Sequence, residues 1–369
     1  MAELPFDDLI NKRNPRKDMT GHVKPTRVLD ANTTETREID FSEIPLIDLA
    51  PLFGDDAETK QQMAAELREA CMDIGFFYVK NHRVPEAHLQ DVRTQTEQFF
   101  ALPEHVKTKY DIGRIKRHRG FVPVGALTAG PDEDPDQQEG YEVALELPAD
   151  DPDYLTGSKL FGPNVWPEEL PEFQSGVYSY FESVFALGCK LFGAFALALD
   201  LPENYFNREL SKPIAQLRLL YYPPMENKRP EPLMGIGAHT DYECFTILWQ
   251  TEPGLQVQNR NQEWIDAPPV EDTFLVNIGD MMMRWTNNLF RSTPHRVVTQ
   301  TPKKRYSFPF FFAADYNTIV RCLDTCVSED NPPGYPPTKF GYWVENMHAY
   351  SYVYRHGDRG KLPDPELNS

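Results

Sequence analysis

The chain has 369 residues, with 37 Lys and Arg against 56 Asp and Glu, a formal net charge of −19 and an isoelectric point near 4.9. That acid excess argues against a nucleic-acid binder, whose phosphate-tracking surface needs basic residues. A content of 40% hydrophobic and 12% aromatic residues argues against a disordered polymer and for one globular body. No run of about 18 apolar residues occurs, so no membrane span is expected. The start lacks the apolar stretch of a signal peptide. The five cysteines, Cys71, Cys189, Cys244, Cys322 and Cys326, are an odd set without C-x-x-C spacing and read as reduced packing thiols. A cytoplasmic protein is expected.

Residues 1 to 40 are polar, of mixed charge and without periodicity, which predicts an arm that is disordered or laid over the body. Ile44 to Leu49 reads as a short strand, Asp55 to Asp73 as a helix, Gly75 to Lys80 as a buried strand and Pro85 to Phe100 as a second helix. Residues 114 to 168 are rich in Pro and Gly and carry a basic cluster, Arg114 to Arg119, and an acidic stretch from Pro131 to Asp136. They read as loops with solvated charges. From Glu172 to Leu199 apolar residues recur every three or four positions, giving the longest predicted helix. Beyond Pro213 the period falls to two. Strands are predicted at Gln216 to Tyr222, Gly237 to Asp241, Phe245 to Gln250, Leu255 to Gln258, Trp264 to Ala267, Thr273 to Ile278, His295 to Val298 and Tyr306 to Ala313. Eight short strands separated by Pro, Gly and Asn turns predict a double-sheet jelly roll, and Thr338 to Arg355 a closing helix. The expected division is an arm at 1–40, an N-terminal α/β region at 41–170, the long helix with the jelly-roll core at 171–320, and a C-terminal helix and tail at 321–369.

His239 and Asp241 stand two residues apart, and on an extended chain alternate side chains share a face. His295, at the start of another predicted strand, offers a third donor. Two imidazoles and one carboxylate on one side of a metal form the facial set of non-haem Fe(II) oxygenases, with open positions opposite. An isolated histidine in a strand is more often a core hydrogen-bonder than a ligand, so the argument rests on the three together. Arg305 and Ser307 lie on one face of the last strand, and a guanidinium fork beside a hydroxyl suits a carboxylate held inside a barrel. A protein of net charge −19 repels a dianion, so an enclosed cation has to do the capturing.

These residues resemble a known family. His239–Thr240–Asp241, His295 and Arg305–Tyr306–Ser307 are similar to the HxD…H…RxS pattern of Fe(II)- and 2-oxoglutarate-dependent dioxygenases of the branch like isopenicillin N synthase. Gly75 to His82, Phe99 to Pro103, Tyr221–Tyr222–Pro223–Pro224, Gly254 to Val257 and Pro336 to Tyr342 also fit, so the resemblance covers roughly residues 43 to 355. It implies a mainly β fold with flanking helices, built on a double-stranded β-helix core. It implies His239, Asp241 and His295 as metal ligands for Fe(II), with 2-oxoglutarate as cosubstrate and O2 as oxidant. Arg305 and Ser307 are then the cosubstrate-binding pair. Two departures stand out. Arg83 occupies a position where the family usually has glycine, and Leu220 one where many 2-oxoglutarate users have asparagine, leaving Tyr222 as the motif-matched candidate on that strand for the cosubstrate carboxylate.

The activity implied is oxidative decarboxylation of 2-oxoglutarate to succinate and CO2, coupled to hydroxylation or other C–H oxidation of a small-molecule substrate. Two other readings remain open. In an oxidase resembling isopenicillin N synthase, Arg305 and Ser307 would hold a substrate carboxylate and no keto acid would be used. In a noncatalytic protein on the same barrel, the triad would hold Zn2+. Neither oligomeric state nor substrate identity is written in the sequence.

Overall fold

The computed structural model of the protein describes residues 36–37, 44–127, 136–224, 234–298 and 303–367. In chain order the elements used below are β1 (Thr36–Arg37), β2 (Leu46–Asp48), α1 (Ala57–Asp73), β3 (Phe76–Lys80), α2 (Glu86–Phe100), β4 (Gly120–Val122), β5 (Glu139–Ala144) and α3 (Phe173–Ala198). They continue with β6 (Pro213–Tyr222), β7 (Met234–His239), β8 (Phe245–Gln250), β9 (Leu255–Gln258), β10 (Trp264–Asp266), β11 (Phe274–Ile278), α4 (Asp280–Trp285), β12 (His295–Val298), β13 (Arg305–Asp315) and α5 (Phe340–Ser351).

Two sheets carry the fold. The larger runs β2-β3-β11-β8-β13-β6-β5-β4 and the smaller β1-β10-β9-β12-β7. Strand alternation sorts residues between two layers. On β13, Tyr306, Phe308, Phe310 and Phe312 enter the main core, whereas Arg305, Ser307, Pro309 and Phe311 line a cavity. On β6, Leu217 and Leu219 join that same core while Arg218, Leu220 and Tyr222 face the cavity. A second apolar cluster, including Phe76, Leu220, Leu248, Leu255, Val257, Ile265 and Val297, draws on both sheets and fills the space between them. This is the jelly-roll sandwich expected from the two-residue period.

The helices cover the outer face of the larger sheet. Asp56 caps α1 by accepting from the Glu58 amide at 3.0 Å. α3 is long and apolar enough to cross a membrane by length and composition, but here it lies mostly buried, packed against aromatic residues of the sheet. Phe181 lies 4.9 Å from Phe310, and Phe192 lies 5.1 Å from Phe245 and 5.7 Å from Phe312, ring centre to ring centre. Close approach is needed at Gly188, where a Cβ would stand 2.2 Å from the Phe312 ring.

Several expectations are corrected. The stretch 114–168 is not only loop: β4 and β5 extend the larger sheet, with Glu139 paired to Tyr221 and Glu142 to Arg218. Within the basic cluster, His118 and Arg119 are buried rather than solvated, and Arg119 donates to the backbone oxygens of His118 and Leu160, both at 2.8 Å. Most of the acidic stretch lies outside the described residues, but Asp136 is buried and not solvated. β7 starts at Met234 and ends at His239, so Asp241 lies just past the strand. The closing helix stops at Ser351 and a short 3-10 turn, Val353–Asp358, follows; Thr338–Lys339 is a strand paired with Ile319–Val320. α4 adds a helix that the apolar periodicity does not mark. The polar arm lies outside the described residues except at β1, which pairs in parallel with β10. Arg83 adopts φ 59°, a conformation that glycine reaches at no steric cost, and its guanidinium sits 4.3 Å over Phe53.

Gly188→Val should lower stability by roughly 1–3 kcal/mol through overpacking of α3 on β13. An unchanged urea midpoint would show that this contact is not tight.

Candidate active site

The cross-strand partner of His239 on β7 is His295 on β12. That pairing sets the two imidazoles side by side, ring centres 4.3 Å apart. Asp241 arrives from the turn after β7, and its Oδ1 lies 3.6 Å from His239 Nε2 and 3.5 Å from His295 Nε2. One donor atom from each of the three residues falls within 4.8 Å of the others. All three predicted ligands are thus brought together, although Asp241 reaches the site from a turn rather than along a common strand.

The surroundings aim these donors. His239 Nδ1 contacts the Gly237 carbonyl oxygen at 2.8 Å and His295 Nδ1 that of Thr293 at 3.2 Å. A carbonyl only accepts, so each Nδ1 is the protonated nitrogen and each Nε2 keeps its lone pair for a metal. Asp241 Oδ2 accepts from Thr246 Oγ1 and from Asn277 Nδ2, the latter at 2.7 Å, which leaves Oδ1 turned toward the imidazoles. Burial works to raise the Asp241 pKa, but the imidazoles of His295 and His239, whenever protonated at Nε2, together with the Asn277 amide outweigh it and hold the carboxyl well below its usual range. The backbone of the turn is pinned by the start of α4: Asp280 N donates to the Asp241 oxygen at 2.8 Å and Met281 N to the Glu243 oxygen at 3.1 Å. Gly279 makes this possible, because a Cβ there would lie 2.3 Å from the Glu243 oxygen. This donor set fits Fe(II), with three positions on one side and the cavity on the other.

The cavity measures about 1000 Å3 including its open mouth. Arg305 and Ser307 line one part of it, and Arg305 stands opposite Tyr222 in the β13–β6 pairing. The guanidinium is buried, donates to the Glu252 backbone oxygen at 3.1 Å and to Gln250 Oε1 at 2.9 Å, and lies 4.6 Å over the Tyr222 ring. Burial pushes the Arg305 pKa down, but a guanidinium keeps its proton at any physiological pH. Among the described residues no carboxylate pairs with it. The Tyr222 hydroxyl is buried beside Ser307 and Arg305 and makes no hydrogen bond of normal geometry there. A buried cation with neutral partners and an idle hydroxyl beside it is complementary to an incoming carboxylate. Leu220, in place of the family's asparagine, is buried and contributes only apolar wall.

Family models match two stretches of the chain: residues 44–169 match the N-terminal region of non-haem dioxygenases of the morphine-synthesis type, and residues 213–314 match the 2OG-Fe(II) oxygenase superfamily. A 2-oxoglutarate-Fe(II) type oxidoreductase of Emericella nidulans, hxnY, is 34% identical over 84% of this chain and 90% of its own length. The chain belongs to the 2-oxoglutarate–Fe(II) oxygenase family. A homoarginine-6-hydroxylase of Glycine max is 36% identical over 78% of the chain and 90% of that protein. Among solved structures, a Neurospora crassa protein crystallised in complex with 2-oxoglutarate and thymine superimposes with a TM-score of 0.71 at 28% identity, covering 82% of this chain and 95% of that one. Family membership makes the protein an Fe(II)- and 2-oxoglutarate-dependent oxygenase with a jelly-roll core, and favours that reading over an oxidase that dispenses with the keto acid.

Other site features escaped the sequence reading. Glu142 on β5 is completely buried and accepts from Gln216 Nε2, from Arg218 Nε at 2.8 Å and from Tyr352 Oη at 2.8 Å. His118 stacks on His348 with ring centres 3.8 Å apart, and its edge meets Tyr352. Burial first, and then nearby positive charge including Arg355 and Arg218, lowers both histidines, so the pair is neutral and acts as backing for Tyr352. The available signal was the alternation of Glu142 with the apolar Tyr141 and Val143, hidden by the surrounding Pro- and Gly-rich segment.

Asn277→Leu should weaken iron binding roughly 10- to 100-fold while leaving the apo fold intact, because it removes one of the two donors that orient Asp241. Iron titration followed by metal analysis reads this directly, and an unchanged affinity would remove Asn277 from the account.

Proposed function

We propose that His239, Asp241 and His295 hold the iron of this oxygenase, that Arg305, Ser307 and Tyr222 bind the distal carboxylate of 2-oxoglutarate, and that the substrate is a cytosolic small molecule. The observation that carries this reading is the placement of a buried guanidinium, paired with no carboxylate among the described residues, in the same cavity as the converging His–Asp–His donors. Bound iron supplies the O2 chemistry that couples decarboxylation of 2-oxoglutarate to succinate and CO2 with oxidation of a substrate C–H bond. The chain's own part is positioning. Thr246 and Asn277 fix the Asp241 carboxylate, the carbonyls of Gly237 and Thr293 fix the ring orientations, and Arg305 fixes the far end of the keto acid. Phe76, Leu220, Leu248, Leu255 and Val297 keep the space between these poles dry, which strengthens the Arg305 interaction.

Support for a cytosolic setting comes from the cysteines, none of which is in a disulfide. The net charge of −19 supports a small-molecule substrate over nucleic acid.

Asp241→Ala should lose both iron and turnover; stoichiometric iron together with full activity in this variant would overturn the ligand assignment. Arg305→Leu should retain iron but need roughly 10- to 100-fold more 2-oxoglutarate, the effect of losing about two charge-assisted hydrogen bonds in a buried site. The anaerobic charge-transfer band of the Fe(II) protein titrated with 2-oxoglutarate reads that affinity, and an unshifted titration would mean the carboxylate binds elsewhere.

A further inference from the structure

A run of aromatic rings leads from the metal donors to the surface beyond α5, and the reaction proposed above makes no use of it. Tyr242 follows Asp241, and its ring meets His348 of α5 edge-on at 5.7 Å, centre to centre. His348 lies 5.4 Å from Tyr352, and His118, stacked on His348, lies 4.4 Å from the same ring. Tyr354 follows at 6.0 Å from Tyr352. Tyr352 is fully buried and lines the cavity into which His239, Asp241 and His295 converge, whereas Tyr354 is half-buried in the 3-10 turn outside it. Tyr352 and Tyr354 each face a proton acceptor. Tyr352 Oη donates to Glu142 Oε1 at 2.8 Å. Tyr354 Oη lies 3.2 Å from His118 Nδ1, and Arg355, which can only donate, neighbours the phenol oxygen and leaves its hydrogen for that nitrogen. Packing alone would be served by phenylalanine at both positions. His118 Nε2 and both ring nitrogens of His348 make no hydrogen bond among the described residues, so the histidine pair is not a polar brace either.

We propose that these rings form an electron relay. When 2-oxoglutarate is decarboxylated with no substrate C–H bond in reach, Tyr352 reduces the oxidant left in the metal site and is restored through Tyr354 by a small soluble reductant of the ascorbate or thiol class. The relay goes beyond the oxygenation proposed above and rests on the same metal site. A phenol cannot lose an electron alone in a buried site, because the charged radical left behind is poorly solvated there. Its proton has to leave as well, and an oxidised phenol is acidic enough to give it even to a weak base. In each transfer one electron passes from Tyr352 to the metal site and one proton from its Oη to Glu142, leaving a neutral tyrosyl radical. That radical takes an electron from Tyr354 and recovers its proton from Glu142, while the Tyr354 proton goes to His118. The reductant then gives one electron to Tyr354, His118 returns the proton, and the oxidised reductant releases its own proton to water. Two such transfers, with two protons taken up at the metal site, return the iron to Fe(II), and the remaining oxygen atom of O2 leaves as water. Without the relay the oxidant would attack the nearest wall, where Phe76 lies 5.4 Å from the His295 ring.

The test mixes the full chain, loaded with Fe(II) and 2-oxoglutarate, with O2 in the absence of substrate, and follows freeze-quenched samples by electron paramagnetic resonance while succinate is measured in parallel. A tyrosyl radical should appear, narrowed when the protein is grown on ring-deuterated tyrosine, and ascorbate should shorten its life. Tyr352→Phe, which keeps the ring, should lose the signal and accumulate oxidation of cavity-lining residues such as Phe76, read by mass spectrometry, with iron content and the anaerobic 2-oxoglutarate titration unchanged. Tyr354→Phe should keep the signal but lose its response to ascorbate. Succinate formation with no tyrosyl radical in the unsubstituted protein would overturn the relay, and that measurement needs no variant to fold. A signal that survives in Tyr352→Phe, or an undiminished ascorbate response in Tyr354→Phe, would also overturn it. Absence of succinate would instead overturn the oxygenase function on which the relay rests.

Discussion

The site depends on one cross-strand pair. β7 and β12 are hydrogen-bonded neighbours in the smaller sheet with His239 opposite His295, and this brings two imidazoles from distant parts of the chain to within 4.3 Å. Facing imidazoles alone define a line; a metal needs a third donor off that line. The turn after β7 supplies Asp241, and α4 exists in the right place to clamp it, its first amide nitrogens bonded to the Asp241 and Glu243 carbonyls. The turn is therefore tied to the larger sheet as well, since Asn277 of β11 and Thr246 of β8 hold the other carboxylate oxygen. A site assembled from both sheets is rigid only if the sandwich is closed, and the apolar cluster between the sheets does the closing.

Charge is handled locally rather than globally. A molecule of net charge −19 uses a 2-oxoacid dianion, and screening at physiological salt limits the long-range repulsion to about 8 Å. What remains is decided at the point of binding, which we propose to be Arg305, enclosed and paired with no carboxylate among the described residues. The same wall carries Arg218 with its charge cancelled by Glu142. Two guanidiniums thus share one cavity, one held by neutral oxygens and one compensated by a carboxylate.

The helices other than α4, the eight core strands and the candidate His–Asp–His set were legible in the sequence because each is written in a short-range signal. Helical spacing marks α3, alternation marks β13, and a His–x–Asp pair with a later His has few structural meanings. β4 and β5 were not legible: they are three and six residues long, contain glycine, and sit among prolines, so their pairing with β6 is fixed by tertiary contact alone. The basic cluster misled for a related reason. Nothing local distinguishes Arg119, whose charge is satisfied by two buried carbonyls, from Arg114 close to it in sequence. The Glu142–Arg218–Tyr352 network joins β5, β6 and the end of α5, and no spacing rule reaches across those separations.

β6 shows how little sequence the chemistry requires once register is set. Its three inward residues, Arg218, Leu220 and Tyr222, place a compensated cation, an apolar midpoint and a phenol along one line of the cavity. The pairing of Tyr222 with Arg305 fixes which end is which. A slip of one residue would send Leu217, Leu219 and Tyr221 into the cavity and drive Arg218 into the aromatic layer under α3, exchanging both polar ends for hydrocarbon. Burying a guanidinium there without a partner is unfavourable enough to forbid that slip. Leu220, which breaks the family's usual pattern, is consistent with this geometry: it puts an apolar side chain midway between Arg218 and Tyr222, so the polar groups of this strand stay at the two ends.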